Sequence, residues 1–173
     1  MTAAPMTAAA DWERRNADLW AAVGDLPEED FRAAMDELVG ELPDGDGTAL
    51  FERAAAWDST GHSDLAVPLY QAALDAGVPG ERRRRSVIQM ASSLRNLGRS
   101  EESVALLAAE RARTSDHLDD AVTVVLALAL TDLGRAREAV SLAVAALAPH
   151  LPRYQRSMAA YARLLVEPDP GQE

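Results

Sequence analysis

Cysteine is absent from the 173-residue chain, which excludes disulfides and thiolate metal ligands. Aromatic residues are scarce: three Trp, three Tyr and two Phe. The apolar set is instead dominated by Ala, Leu and Val, a mix that suits closely packed helices, because Ala and Leu lose little on entering one. Basic residues are outnumbered, 17 against 28 acids, for a net charge of −11. A phosphate backbone needs a basic surface, so neither nucleic acid nor an anionic membrane is an expected partner. No apolar run reaches the roughly 18–20 residues of a membrane span. The longest, residues 121–130, contains Thr123 and stops at Thr131 and Asp132. Residues 1–10 lack the cationic start and apolar stretch of a signal peptide. They read as a disordered tail, with Met6 as an alternative start, and a cytoplasmic location is expected.

What is present is helical periodicity, punctuated by Gly and Pro. A first helix is expected over residues 11–23, with Trp12, Leu19, Trp20 and Val23 as its apolar positions. A second is expected over residues 28–39, with Phe31, Met35, Leu38 and Val39 on one face. Pro27 suits its first turn, and Glu28, Glu29 and Asp30 lie near the positive end of its dipole. Residues 43–47 form a loop, Pro-Asp-Gly-Asp-Gly.

Beyond that loop the chain repeats. Gly61, Gly98 and Gly134 each stand between two helical segments, 37 and 36 residues apart. Four residues before each stand Trp57, Leu94 and Leu130, and seven before stand Ala54, Ala91 and Ala127. Five after come Ala66, Ser103 and Ala139; nine after, Tyr70, Leu107 and Ala143; twelve after, Ala73, Glu110 and Ala146. Small residues let antiparallel helices approach, large ones fill the space between pairs, and the glycine ends a helix in the left-handed conformation. Glu110 departs from the pattern and points to an exposed or poorly packed helix end. Pro68 falls about one turn into its helix, where it removes a backbone bond and is expected to kink it.

This pattern resembles the tetratricopeptide repeat, a helix–turn–helix unit of about 34 residues. It is most similar to a bacterial subfamily, tetratricopeptide repeat group five. The residues that carry this are Ala49-Leu-Phe-Glu-Arg-Ala54, Val67-Pro-Leu-Tyr70, the arginines 82–85, Ile88-Gln-Met-Ala-Ser-Ser-Leu-Arg-Asn-Leu-Gly98 and Leu126-Ala-Leu-Ala-Leu130. The resemblance implies an all-α fold, an α-solenoid of antiparallel helix pairs wound into a right-handed superhelix. Its organisation would be a leading helical pair (11–46), three repeats (47–151), a C-terminal capping helix (152–167) and a tail (168–173). It also implies a non-catalytic scaffold that binds a partner protein or peptide in a concave groove.

In that fold the first helix of each pair lines the groove. Mapped on the glycine offsets, this selects Phe51, as an apolar anchor, and Asp58 in the first repeat. It selects Arg85, Ile88, Ser92, Arg95 and Asn96 in the second, with Gln89 beside them, and Ala121, Val124, Leu128, Thr131 and Asp132 in the third. The middle set is polar and basic, suited to a carboxylate or an acidic peptide through charge-assisted bonds. The arginines 82–85 have three readings: a solvated first turn of a helix, ion pairs with acids of preceding helices, or direct contact with an acidic partner. The helix around Val124 is apolar nearly all round and expects cover on every side. The C-terminal helix (153–166, with Tyr154, Met158, Tyr161, Leu164 and Leu165), a second subunit or a bound partner can each supply it. The alternatives to a scaffold are therefore a self-associating homodimer and a regulatory, ligand-responsive subunit.

Chemistry-bearing motifs are lacking. There is no phosphate loop, dinucleotide fingerprint or nucleophile elbow. His62, His117 and His150 lie in different repeats, with no i, i+4 pair for a metal. The acids at 28–30, 101–102 and 116–120 read as helix-start acids. No metal, cofactor or enzymatic activity is expected.

Overall fold

The computed structural model describes residues 7–167. Within them lie α1 (Ala8–Ala21), α2 (Glu28–Val39), α3 (Gly47–Ser59), α4 (Ser63–Asp75), α5 (Gly80–Asn96), α6 (Ser100–Arg113), α7 (Asp119–Asp132), α8 (Ala136–Leu147), a short 3-10 turn (Ala148–His150) and α9 (Gln155–Leu164), with no strand among the described residues. The chain divides into two compact units, Met1–Arg83 and Arg84–Glu173, the division falling inside α5.

The aligned glycines end helices as their spacing predicts. Gly61, Gly98 and Gly134 have φ of 81°, 73° and 74°. After each, the next amide reaches five residues back: His62 to the Trp57 carbonyl (3.0 Å), Arg99 to Leu94 (2.9 Å) and Arg135 to Leu130 (2.9 Å). These bonds occupy carbonyls that a helix end otherwise leaves open.

In the first unit α3 packs on α4, and α2 on both α1 and α3. Trp12, Phe31, Met35, Leu38, Val39, Ala49 and Ala56 form its core, with Trp20 set edge-on against Phe31 at 5.1 Å. Helix α1 starts earlier than expected, because the Thr7 hydroxyl caps it by accepting from the Ala10 amide at 3.2 Å. Residues 8–10 therefore belong to the fold and not to a tail; residues 1–6 and 168–173, read as tails, lie outside the described residues. Helix α4 runs through an exposed Pro68 without interruption.

The second unit is built on Ala91, Leu107, Val122, Leu126, Ala127, Leu130 and Ala139. Its helices pack in sequence, α6 on α7, α7 on α8 and α8 on α9. Helix α9 docks through small groups: Ala162 is buried and its carbonyl accepts from the Ser141 hydroxyl at 2.7 Å. Tyr154, Tyr161 and Leu164, expected to face the cap contact, are instead 72%, 59% and 45% exposed.

Candidate functional site

The second unit presents a two-helix face whose geometry is set by two arginines. Arg84, four residues into α5, is buried, as is Glu110 at the end of α6. Its Nη2 donates to Asp119 Oδ1 (2.7 Å) and to the Thr114 carbonyl (3.3 Å), and its Nη1 donates to Asp116. Its Nε lies 3.5 Å from Glu110 Oε1. Burial alone would lower the pKa of Arg84, but the hydrogen bonds and charges of Asp119 and Asp116 outweigh it and raise the value further. Asp119 is held at about 2, first by the Ser115 hydroxyl, then by Arg84 and the Asp116 amide. Glu110 is thus not the exposed or loosely packed helix end that the repeat pattern suggested. It is a buried carboxylate facing a buried guanidinium, a combination in which each charge makes the other tolerable.

At the other end of α5, Arg95 Nε donates to Asp132 Oδ2 at 2.6 Å, and its Nη2 lies 3.4 Å from Oδ1. The Ser100 hydroxyl adds a 3.3 Å bond to the same carboxylate. Arg95 chiefly depresses the pKa of Asp132. Arg84 joins the start of α5 to the start of α7, and Arg95 joins their ends, so the two helices run parallel in a fixed register.

Between these pins lies the stripe selected by the glycine offsets. On α5, Arg85, Ile88, Gln89 and Ser92 are half-buried, and Asn96 is exposed. On α7, Ala121, Val124, Leu128 and Thr131 are exposed while Leu126 and Leu130, on the other side of the helix, are buried. Val124 and Leu128 stand at i, i+4 and are 44% and 46% exposed. Helix α9 therefore leaves them uncovered. Behind them a cavity of about 280 Å3 is lined by Val104, Leu126, Leu130 and Leu142, with Arg111 and Arg135 among its polar neighbours.

Two of the expected groove residues are placed otherwise. Phe51 is fully enclosed, its ring 6.1 Å from that of Tyr70, and serves the core of the first unit in place of a partner. Arg95 is engaged by Asp132, so the positive charge that favoured an acidic ligand there is answered within the chain. Asp58 is half-buried and accepts from the Tyr70 hydroxyl at 3.2 Å.

Two of the four arginines 82–85, Arg82 and Arg84, likewise serve internal pairing. Arg82 donates to Glu13 through both terminal nitrogens (2.9 and 2.7 Å) and through Nε to the buried Glu52 (2.7 Å). Glu52 also accepts from Asn16 (3.0 Å) and from the Trp20 indole (2.7 Å). Sequence reasoning anticipated pairing with preceding helices but missed Glu52. Its signal was a lone carboxylate within the otherwise apolar run 49–57, broken besides only by Arg53.

Among the described residues no group of three or more His, Asp or Glu could hold a metal, and no helix is long and apolar enough to cross a membrane. A model of the tetratricopeptide repeat group five family, described as Tetratrico peptide repeat, matches residues 47–165. Neither the curated proteins nor the solved structures yield a match.

Proposed function

The chain belongs to the tetratricopeptide repeat family, and from that premise we propose that it binds a segment of a partner protein along the α5/α7 face. Repeats of this family are in general protein–protein interaction modules and typically non-catalytic. The observation that carries the reading is the exposed pair Val124 and Leu128 on a helix whose other large apolar residues are buried or half-buried. Contiguous apolar side chains left exposed on one helix face are the kind of surface that interaction sites use. The ion pairs at both ends preform the surface, so little ordering entropy is lost when a partner arrives. Val124, Leu128 and Ile88 supply apolar contact, and Arg85, Gln89 and Asn96 supply polar edges.

The test is Val124→Asp with Leu128→Asp, read by affinity capture of the partner from the native cell. Capture is lost while circular dichroism stays unchanged; undiminished capture by the folded variant refutes the site. The same exposed pair favours one rival, self-association through this face. Light scattering across a concentration series separates them: a monomer excludes the dimer, and a dimer that the double variant splits replaces the first reading.

A further inference from the structure

Helix α9 joins an exposed apolar surface to a basic one. Tyr161 and Leu164 stand at i, i+3 and are 59% and 45% exposed. Arg156 and Arg163, at i, i+7, form a row next to Leu164 on the same helix, with Tyr161 further round beyond Leu164. Just before the helix, a cavity of about 360 Å3 is lined by Leu151, Pro152, Arg153, Tyr154 and Met158. Tyr154 lines it from a left-handed backbone (φ 69°), the one such non-glycine residue among those described, and its side chain is 72% exposed. A non-glycine residue held there is strained, and such strain clusters at ligand clamps.

Charge decides what fits. Residues 153–167 hold three arginines against one glutamate in a chain of net charge −11. Elsewhere the arginines are mostly spent on acids: Arg14, Arg15, Arg53, Arg82, Arg84, Arg95, Arg99 and Arg135 are all paired within 3.0 Å. Arg153, Arg156 and Arg163 have no acidic partner among the described residues. A second copy docked on this face through the same surface would set arginine against arginine.

We propose that α9 and the cavity before it form a second docking site, separate from the α5/α7 face, for an acidic amphipathic segment of another protein. A large apolar side chain enters the cavity beside Tyr154, further apolar residues cover Tyr161 and Leu164, and flanking carboxylates pair with Arg153, Arg156 and Arg163.

The test uses the full chain and a fluorescent helical peptide with Leu on one face and Glu on the other, against a twin with Lys for every Glu. The Glu peptide binds and the Lys twin binds at least tenfold more weakly. Arg153→Glu with Arg156→Glu and Arg163→Glu abolishes binding, as does Tyr161→Ala with Leu164→Ala, while Val124→Asp with Leu128→Asp leaves it unchanged. All of these positions are exposed; should the alanine variant unfold, the charge reversal alone decides. Equal binding of the two peptides, no binding of either, or full binding after charge reversal overturns the proposal. So does binding to phosphatidylserine vesicles in place of the Glu peptide, or sedimentation as a dimer that the charge reversal dissolves.

Discussion

Replacing Arg84 with methionine tests the buried ion pair directly. The side chain is 4% exposed and faces Glu110, 2% exposed, so Arg84→Met leaves a carboxylate enclosed without the guanidinium beside it. Breaking a buried pair in this way costs about 3–5 kcal/mol. The bonds lost to Asp116 and Asp119 add little, because those carboxylates are 39% and 46% exposed and regain water. A loss of this size is a large share of the roughly 5–15 kcal/mol that holds a typical domain together. With a urea slope of about 2 kcal/mol per molar, the midpoint falls by about 2 M. The readout is ellipticity, since Trp12, Trp20 and Trp57 all lie in the first unit and tryptophan fluorescence does not report on the second. The companion Arg84→Met with Glu110→Leu removes both buried charges and is expected within about 1–2 kcal/mol of the wild type, on either side of it. If Arg84→Met costs under about 1 kcal/mol, or the double variant is as damaged as the single one, the ion pair does not govern this unit.

Phe51→Ala is expected to cost about 3–5 kcal/mol by urea melts, because the ring is fully enclosed beside Tyr70. Val124→Ala, at a half-exposed site, stays within about 0.5 kcal/mol, so equal losses would contradict the burial described. The protein should also lose stability in acid. Asp119 titrates at about 2 in the folded chain against its ordinary 3.8, and Asp132 is likewise depressed. Both therefore contribute fully above about pH 5, and their contribution fades as pH falls through the folded values. The urea midpoint should drop more steeply between about pH 4 and pH 2 in the wild type than in Asp119→Asn, and parallel curves would exclude this linkage.

The helix pairs were legible because their cause is local. A glycine that must take positive φ marks a helix end wherever it stands, and Ala54, Ala91 and Ala127 repeat because each sits where helices touch. The faces were legible only in part. Val124 and Leu128 are exposed as the glycine offsets imply, whereas Phe51, at the offset equivalent to Val124, is enclosed. Offsets carry direction around a helix but not what lies opposite, and opposite Phe51 lies Tyr70. Glu110 defeated the pattern for a related reason. Its partner stands 26 residues earlier in a run of four arginines, and periodicity alone does not say which of the four turns inward. In α9 five large residues were expected to make the contact; Met158 and Leu165 are half-buried, but the buried position is Ala162, where a small side chain lets the Ser141 hydroxyl reach the backbone.

The two pins between α5 and α7 give the repeats a direction. The second repeat supplies both arginines, and the third supplies both aspartates. At the positions where the third repeat would hand the link onward, 36 residues after Arg84 and Arg95, stand Asp120 and Thr131. A duplicated third repeat placed after itself would bring carboxylate against carboxylate at one end and offer only a hydroxyl at the other. These joints work like plug and socket, and the third repeat carries the socket alone. An array extended by copying this repeat needs an arginine at each of the two positions to keep the same register.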